Sequence, residues 1–513
     1  MKSKLIVSIL SVLVLSGVYL AMGYFLRTKG FYHLEAYFID YKIDQLFRYD
    51  FSFFRTFYFT EPALLFLGSL ALSWIPDIQS TYVLNALVMG ILGVFLFKSA
   101  WERRSGSWAS LIYLLFSPVI WYAGSSGSSF ALYLTFYFLF FWLILGYIRD
   151  YSVFHLASLS ILLGVFLLLD RSFLKLLILL IPIFFFISFY KAKGIRGNFY
   201  AKASIIFSND SQRRKFFTGF FSSILLVVFI PLSGYGIFHL INEVFGGRVF
   251  YYETSLADFW NSYSGKTPLH VSDSLDWKIF SLGNLYFLLL IICLSAPLLY
   301  LFFRKGKSTA LPMIAFLALG YVISEAAGEK ILNLNLQLLG MLSGAGMAGI
   351  LFSAKETPSG SFRIVSVLIA LVTLILEFLY FNYSVAIHER RFFEALFHPP
   401  VESAERKSVE SINNFLAEKG KTRILADDAI FFPHLSKLPK EASWVGHFSP
   451  DFQHSLQEPM IYADYLVITQ ETHPLHPNDV VAAALDRLEY HGIPLKTKVV
   501  YEDDLSLVLE VME

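Results

Sequence analysis

Apolar runs of membrane-crossing length recur along the chain from Leu5 to about Tyr383, separated by short polar segments. About 20 apolar residues, at 1.5 Å of helix each, cover a hydrocarbon core. Eleven such spans are predicted, at 5–25, 81–98, 108–124, 129–148, 153–169, 173–190, 216–238, 281–303, 309–325, 333–353 and 364–383. With this count basic residues collect on one side: Lys2 and Lys4, Lys98 to Arg104, Arg149, the cluster from Lys191 to Lys215, Arg304 to Lys307, then Lys355 and Arg363. Cytoplasmic loops carry the Lys/Arg excess of membrane proteins. The N-terminus is therefore expected in the cytoplasm, with the loops 26–80 and 239–280 and the C-terminal end on the opposite face. Between Glu61 and Ile78 the apolar part is about 14 residues, short for a span and suited to an interfacial or re-entrant helix.

After residue 383 the rhythm changes. Ser408 to Leu416 has helical spacing, and 423–426, 465–468 and 498–501 read as short buried strands. Residues 505–511 alternate like a final edge or hairpin strand, and Ala482 to His491 reads as a helix between strands. The expected fold is a polytopic α-helical membrane protein with about 11 transmembrane helices over 1–383. A small extracytoplasmic α/β domain over 384–513 completes it.

Composition agrees. Of 513 residues 56% are hydrophobic and only 16% charged, against about 25% charged in soluble proteins. A net charge of +1 gives no signal for nucleic acid, and the single cysteine, Cys293, excludes an intrachain disulfide and a cysteine metal cluster. Basic Lys2 and Lys4 precede an apolar core too long for a cleaved signal peptide, so an uncleaved anchor is expected. With no eukaryotic sorting signal in the chain, the bacterial inner membrane is the expected location. Gly-rich phosphate loops, zinc spacings and a hydrolase Ser-His-Asp order are absent.

Candidate chemistry concentrates in the first outer loop, which contains His33, Glu35, Asp40, Asp44, Arg55 and Glu61. Glu35, Asp40 and Asp44 stand about one or two helical turns apart, and Glu35 would share a face with Phe38 and Ile39. A carboxylate held at the membrane rim by an apolar helix is desolvated, its pKa rises, and it can take a proton from a hydroxyl. A solvated interfacial helix of mixed charge fits the same pattern. Asp427-Asp428 follows a strand as a ligand site or a helix-capping pair. The 239–280 loop, with Tyr251, Tyr252, Trp260 and His270, suits either a cover over a sugar or an interfacial aromatic belt. Glu377, inside the last span, is costly in lipid and is expected to face the bundle or to lie near the outer interface.

The order of segments adds a resemblance. An anchor span leads to the acid-containing stretch His33-Leu34-Glu35-Ala36-Tyr37-Phe38. Glu61-Pro62-Ala63-Leu64-Leu65 follows, and span two ends at Lys98-Ser99-Ala100-Trp101-Glu102-Arg103-Arg104. Span three then carries Phe116-Ser117-Pro118. This resembles the GT-C glycosyltransferases, most closely the branch of protein O-mannosyltransferases and lipid A aminoarabinose transferases. The resemblance covers the membrane part in architecture and the first 150 residues in motif. It implies an inverting transfer of a hexosyl or pentosyl group from a polyprenyl-phosphate-linked donor to a protein, lipid or polysaccharide acceptor. It implies Glu35 as catalytic base with Asp40 and Asp44 behind it. Lys330 would face the donor phosphate, and Arg55, His33, Glu61 and His270 would contact substrate. A divalent metal is the one cofactor it leaves open. The chain departs from the family pattern at Leu34, where an Asp is usual, and in Ser125 to Ser129, which lacks the family's acid or Arg.

Two other classes compete with the enzyme. A lipid or sugar transporter would show charges or helix breaks in matching halves, whereas here the acids gather in outer loops. A non-catalytic membrane scaffold would explain Leu34.

Overall fold

The computed structural model describes residues 2–48, 63–75, 79–102, 107–169, 174–191, 199–246, 289–297, 336–353, 360–384, 387–398, 404–438, 441–446, 449, 451–473, 476–493 and 496–512. The expected span at 309–325, most of those at 281–303 and of the loop 239–280, and Arg55, Glu61, His270 and Lys330 lie outside the described residues.

The membrane part is helical. Its elements are α1 (Lys2–Thr28), α2 (Leu34–Arg48), α3 (Ala63–Leu72), α4 (Ser80–Glu102), α5 (Ser107–Phe116), α6 (Pro118–Ser125), α7 (Phe130–Asp150), α8 (Val153–Phe166), α9 (Leu174–Lys191), α10 (Phe199–Ser208), α11 (Asp210–Gly246), α12 (Leu336–Ser353), α13 (Gly360–Tyr383) and α14 (Ile387–Phe397). Among the described residues five stretches are long and apolar enough to cross a membrane: Leu5–Thr28, Ser80–Ser99, Phe130–Asp150, Asp210–Ile241 and Ile364–Tyr383. The expected span 108–124 is broken in two. Ser117 caps α6, its Oγ accepting from the Ile120 N–H at 3.3 Å, and Pro118 at the first position fixes the entry angle. Phe130, Tyr137, Phe141 and Phe166 pack in the central core that joins the helices. Glu377 is fully buried there, accepting from the hydroxyls of Tyr113 and Ser117 at 2.7 Å each, so it faces the bundle.

The C-terminal part begins with α15 (Ala404–Lys419) and alternates: β1 (Arg423–Ala426), α16 (Asp428–Leu435), β2 (Ser443–Val445), α17 (Phe452–Gln457), α18 (Pro459–Tyr462), β3 (Tyr465–Thr469), α19 (Val480–Tyr490), β4 (Thr497–Glu502) and β5 (Ser506–Val511). The sheet order is β2-β1-β3-β5-β4, with β1 parallel to both β2 and β3 and the last two strands antiparallel. Alternate residues of β1 and β3 point to opposite layers. Ile424, Ala426, Tyr465 and Val467 pack with α15 and α16, while Leu425, Leu466 and Ile468 pack with α17 and α19. One strand expectation changes: Lys498 to Tyr501 is no buried strand, because β4 is the edge and Val499 is half exposed. Residues 506–511 form the second strand of an antiparallel hairpin with β4, as one of the two readings expected, and lie inside between β3 and β4 rather than at the edge. The three-residue β2 was not predicted.

The first core layer is shared. Phe38, Ile39 and Tyr41 of α2 and Leu65 and Phe66 of α3 belong to the same buried cluster as Phe431, Phe432, Leu435 and Trp444. The C-terminal α/β part therefore sits directly on the segment that follows α1.

Candidate active site

The site is built where α1 ends. Arg27 and Thr28 close that helix, and Gly30, at φ 90°, turns the chain so that the Phe31 N–H returns to the Leu26 carbonyl at 3.0 Å. This is a glycine-terminated helix stop, and it sends the chain straight into α2. His33 caps α2, its Nδ1 accepting from the Glu35 N–H at 3.2 Å and its carbonyl from the Ala36 N–H at 3.1 Å. Its ring lies against His388, centroids 4.3 Å apart. Burial, reinforced by His388, holds its pKa well below the ordinary imidazole value, so it is neutral.

Glu35 points at the segment Ser125 to Ser129. Its Oε2 accepts from the Ser129 N–H at 2.9 Å, at the start of α7. Two segments singled out in the sequence thus meet, the acid of one capping the helix that follows the other. Gly127 between them has φ 75°, and a Cβ there would stand 2.9 Å from the Tyr82 ring. Burial raises the Glu35 pKa and the Ser129 hydrogen bonds oppose that rise.

Asp40 faces a different neighbour set. Gln79 donates to its Oδ2 at 2.6 Å. Desolvation raises its pKa to about 7, with Gln79 opposing, Asp44 one turn on adding to the rise, and the charges of Arg27 and Lys437 lowering it. Those two cations line a cavity of about 470 Å³. Its walls are Leu20, Gly23, Tyr24, Arg27 and Thr28 of α1, Gly30, Phe31 and Tyr32 of the turn, Tyr37 of α2, Tyr82 of α4, and Lys437 beyond α16. The α1 residues fall at i, i+3, i+4, i+7 and i+8, one stripe of that helix. The stripe runs from apolar Leu20 to charged Arg27. Arg27 lies 5.6 Å from the Tyr82 ring centre and Lys437 5.1 Å from that of Tyr37. Behind Tyr32, Arg391 lies 5.7 Å from its ring centre.

The cavity joins an apolar flank, cations from the two ends of the chain and several aromatic rings, with a titratable carboxylate alongside. Such a set can hold an amphipathic anion and offer it a base.

No protein-family model matches this chain, and no curated protein matches it.

Of the residues expected to act, Asp40 lies within electrostatic reach of the cavity cations with Asp44 one turn on, while Glu35 and His33 are engaged in capping. Among the described residues no group of three or more His, Cys, Asp or Glu is placed to hold a metal ion. The sequence reading passed over Arg27 and Lys437. Arg27 carried a signal, since with Lys29 it breaks the alternation by putting cations on the basic-poor side. Lys437 carried none, because only the tertiary fold brings it there.

Proposed function

We propose that this protein is a membrane glycosyltransferase of the GT-C type, moving a sugar from a polyprenyl-phosphate-linked donor to an acceptor outside the cytoplasm. The reading includes eleven spans in a bacterial inner membrane, a cytoplasmic N-terminus and an extracytoplasmic C-terminal domain. The observation that carries it is the cavity beside Asp40. The Leu20 and Gly23 end of its α1 stripe suits an isoprenoid chain, and its two cations suit a phosphate. Aromatic faces suit a sugar ring.

In this reading Asp40 accepts the proton of the acceptor hydroxyl as that oxygen attacks the anomeric carbon. The bond from that carbon to the donor phosphate breaks, its electron pair leaves on the phosphate, and Arg27 and Lys437 take up the growing charge. One displacement inverts the anomeric centre, as in inverting glycosidases. Glu35 holds α2 against α7, which keeps Asp40 in register.

The test is transfer from a radiolabelled polyprenyl-phosphate sugar by purified protein in liposomes, with acceptors drawn from the cell envelope. Comparing envelope glycans with and without the gene supplies the acceptor class. Asp40→Asn is expected to lower turnover about 10²- to 10⁴-fold, the range of general-base catalysis. Because the base form is the ionised one and the pKa is about 7, the wild-type rate is expected to fall tenfold per unit as pH drops below that value. Near-normal turnover by Asp40→Asn, or a flat profile from pH 5 to 8, removes Asp40 from the mechanism.

The engagement of Glu35 in capping, together with Leu34, favours one second reading, a non-catalytic scaffold of the same fold. It predicts binding of the lipid-linked sugar without turnover.

A further inference from the structure

In open α/β sheets, ligands bind at the carboxyl ends of the strands, at the point where strand order reverses. Here that point lies between β1 and β3, and the chain's own acids fill it. Asp427 Oδ2 accepts from the Val480 N–H at 3.0 Å. Asp479 accepts from Val481 and Ala482 at 3.0 and 3.1 Å and from the Thr469 N–H at 2.8 Å. The amides that would hold an anion at the start of α19 are thus already given to carboxylates.

What does meet this end of the sheet is α2. The Tyr41 hydroxyl donates to the Asp428 carboxylate, just past β1, and its ring lies 5.3 Å from that of Trp444 on β2. Gln45 Nε2 donates to the Tyr41 oxygen at 2.7 Å, and Lys42 Nζ donates to Gln45 Oε1 at 3.3 Å. Lys42 is fully buried, which a lysine tolerates only when its charge is answered or lost. Phe38 packs edge-on to Phe432, centroids 5.7 Å apart. A few residues beyond this contact Lys437 enters the cavity wall.

We infer that the C-terminal domain recognises α2 as its ligand, through a polar relay of Lys42, Gln45, Tyr41 and Asp428, and that this docking sets Lys437 into the cavity. The anion site is then complete only while the domain is docked. Lys437 binds the anion, and Tyr41 and Asp428 are positioning residues that act through it. The chemical class of the anion, a polyprenyl monophosphate, rests on the function proposed above, while the docking itself does not.

The test uses full-length protein in nanodiscs, with farnesyl phosphate as the probe and farnesol as its uncharged control. Lys437→Gln is expected to weaken farnesyl phosphate binding about tenfold, the worth of one charge-assisted contact, leaving farnesol unchanged. Lys437→Arg should restore it. Tyr41→Phe keeps the ring on Trp444 and should give the same loss. The double variant should lose no more than either single one, because Lys437 is already withdrawn. Amide exchange should rise together in α2 and 428–438 for Tyr41→Phe, and not for Lys437→Gln. Affinity within twofold of wild type for Tyr41→Phe, or two losses that multiply, overturns the positioning role. If wild-type protein ignores farnesyl phosphate, the donor class fails. The exchange experiment then judges the docking alone, and unchanged exchange in Tyr41→Phe overturns it.

Discussion

Glu35 and Asp40 stand little more than one helical turn apart, and their carboxylates have different surroundings. Glu35 receives the Ser129 N–H and closes the start of α7. Asp40 receives one amide and feels Arg27, Lys437 and Asp44. Glu35→Gln keeps an acceptor oxygen but removes the charge at a helix N-terminus, and should cost about 0.5–2 kcal/mol of stability, read as a lowered melting temperature in detergent. Transfer should fall less than tenfold. Total loss of transfer with unchanged melting would instead make Glu35 the base. This division of roles was not legible in the sequence, where both acids sit on a short amphipathic helix. The two differ in what the rest of the chain presents to them, Ser129 being 94 positions away from Glu35.

At the scale of elements, α2 is the joint of the molecule. It packs on α3 and α4 of the membrane part and on α16 of the C-terminal α/β part. Burial lowers the Lys42 pKa from its ordinary 10.5 to about 7, with Asp428 opposing. Between those values the unfolded chain binds the extra proton and the folded one does not, so this residue makes stability rise with pH across that window. Below about 7 the amine is charged in both states and its contribution is flat. Lys42→Met retains the apolar stem and should remove that part of the upward slope in melting temperature from pH 7 to 10. A slope equal to wild type would show that Lys42 is solvated. The apolar pattern was enough to read β1, β3 and α19 to within about two residues, the strands as short continuous apolar runs and the helix by its repeat. It could not find β2, whose Ser443-Trp444-Val445 is too short to establish a period. It also ran α5 and α6 together, because apolar content continues through Ser117-Pro118 while the backbone does not.

On the scale of the whole chain, two cores meet at the turn after α1, one among the membrane helices and one between sheet and α2. The membrane character was legible because its signal is cumulative over hundreds of residues. The cavity was not, since its walls come from α1, the turn that follows it, α2, α4 and Lys437, two residues past α16, and no local pattern links Arg27 to Lys437. Sharing a core also binds the fates of the two parts. Phe432, Leu435, Leu438 and Trp444 lie in the layer that α2 and α3 help to cover. A fragment spanning 404–513, produced alone, would present that layer to water. Sedimentation should find it self-associated, and a synthetic peptide of residues 34–48 should return it to a monomer. A monomer without the peptide would mean that the sheet can shield its own oily side. Anyone hoping to crystallise the tail by itself would do well to leave its helical partner attached.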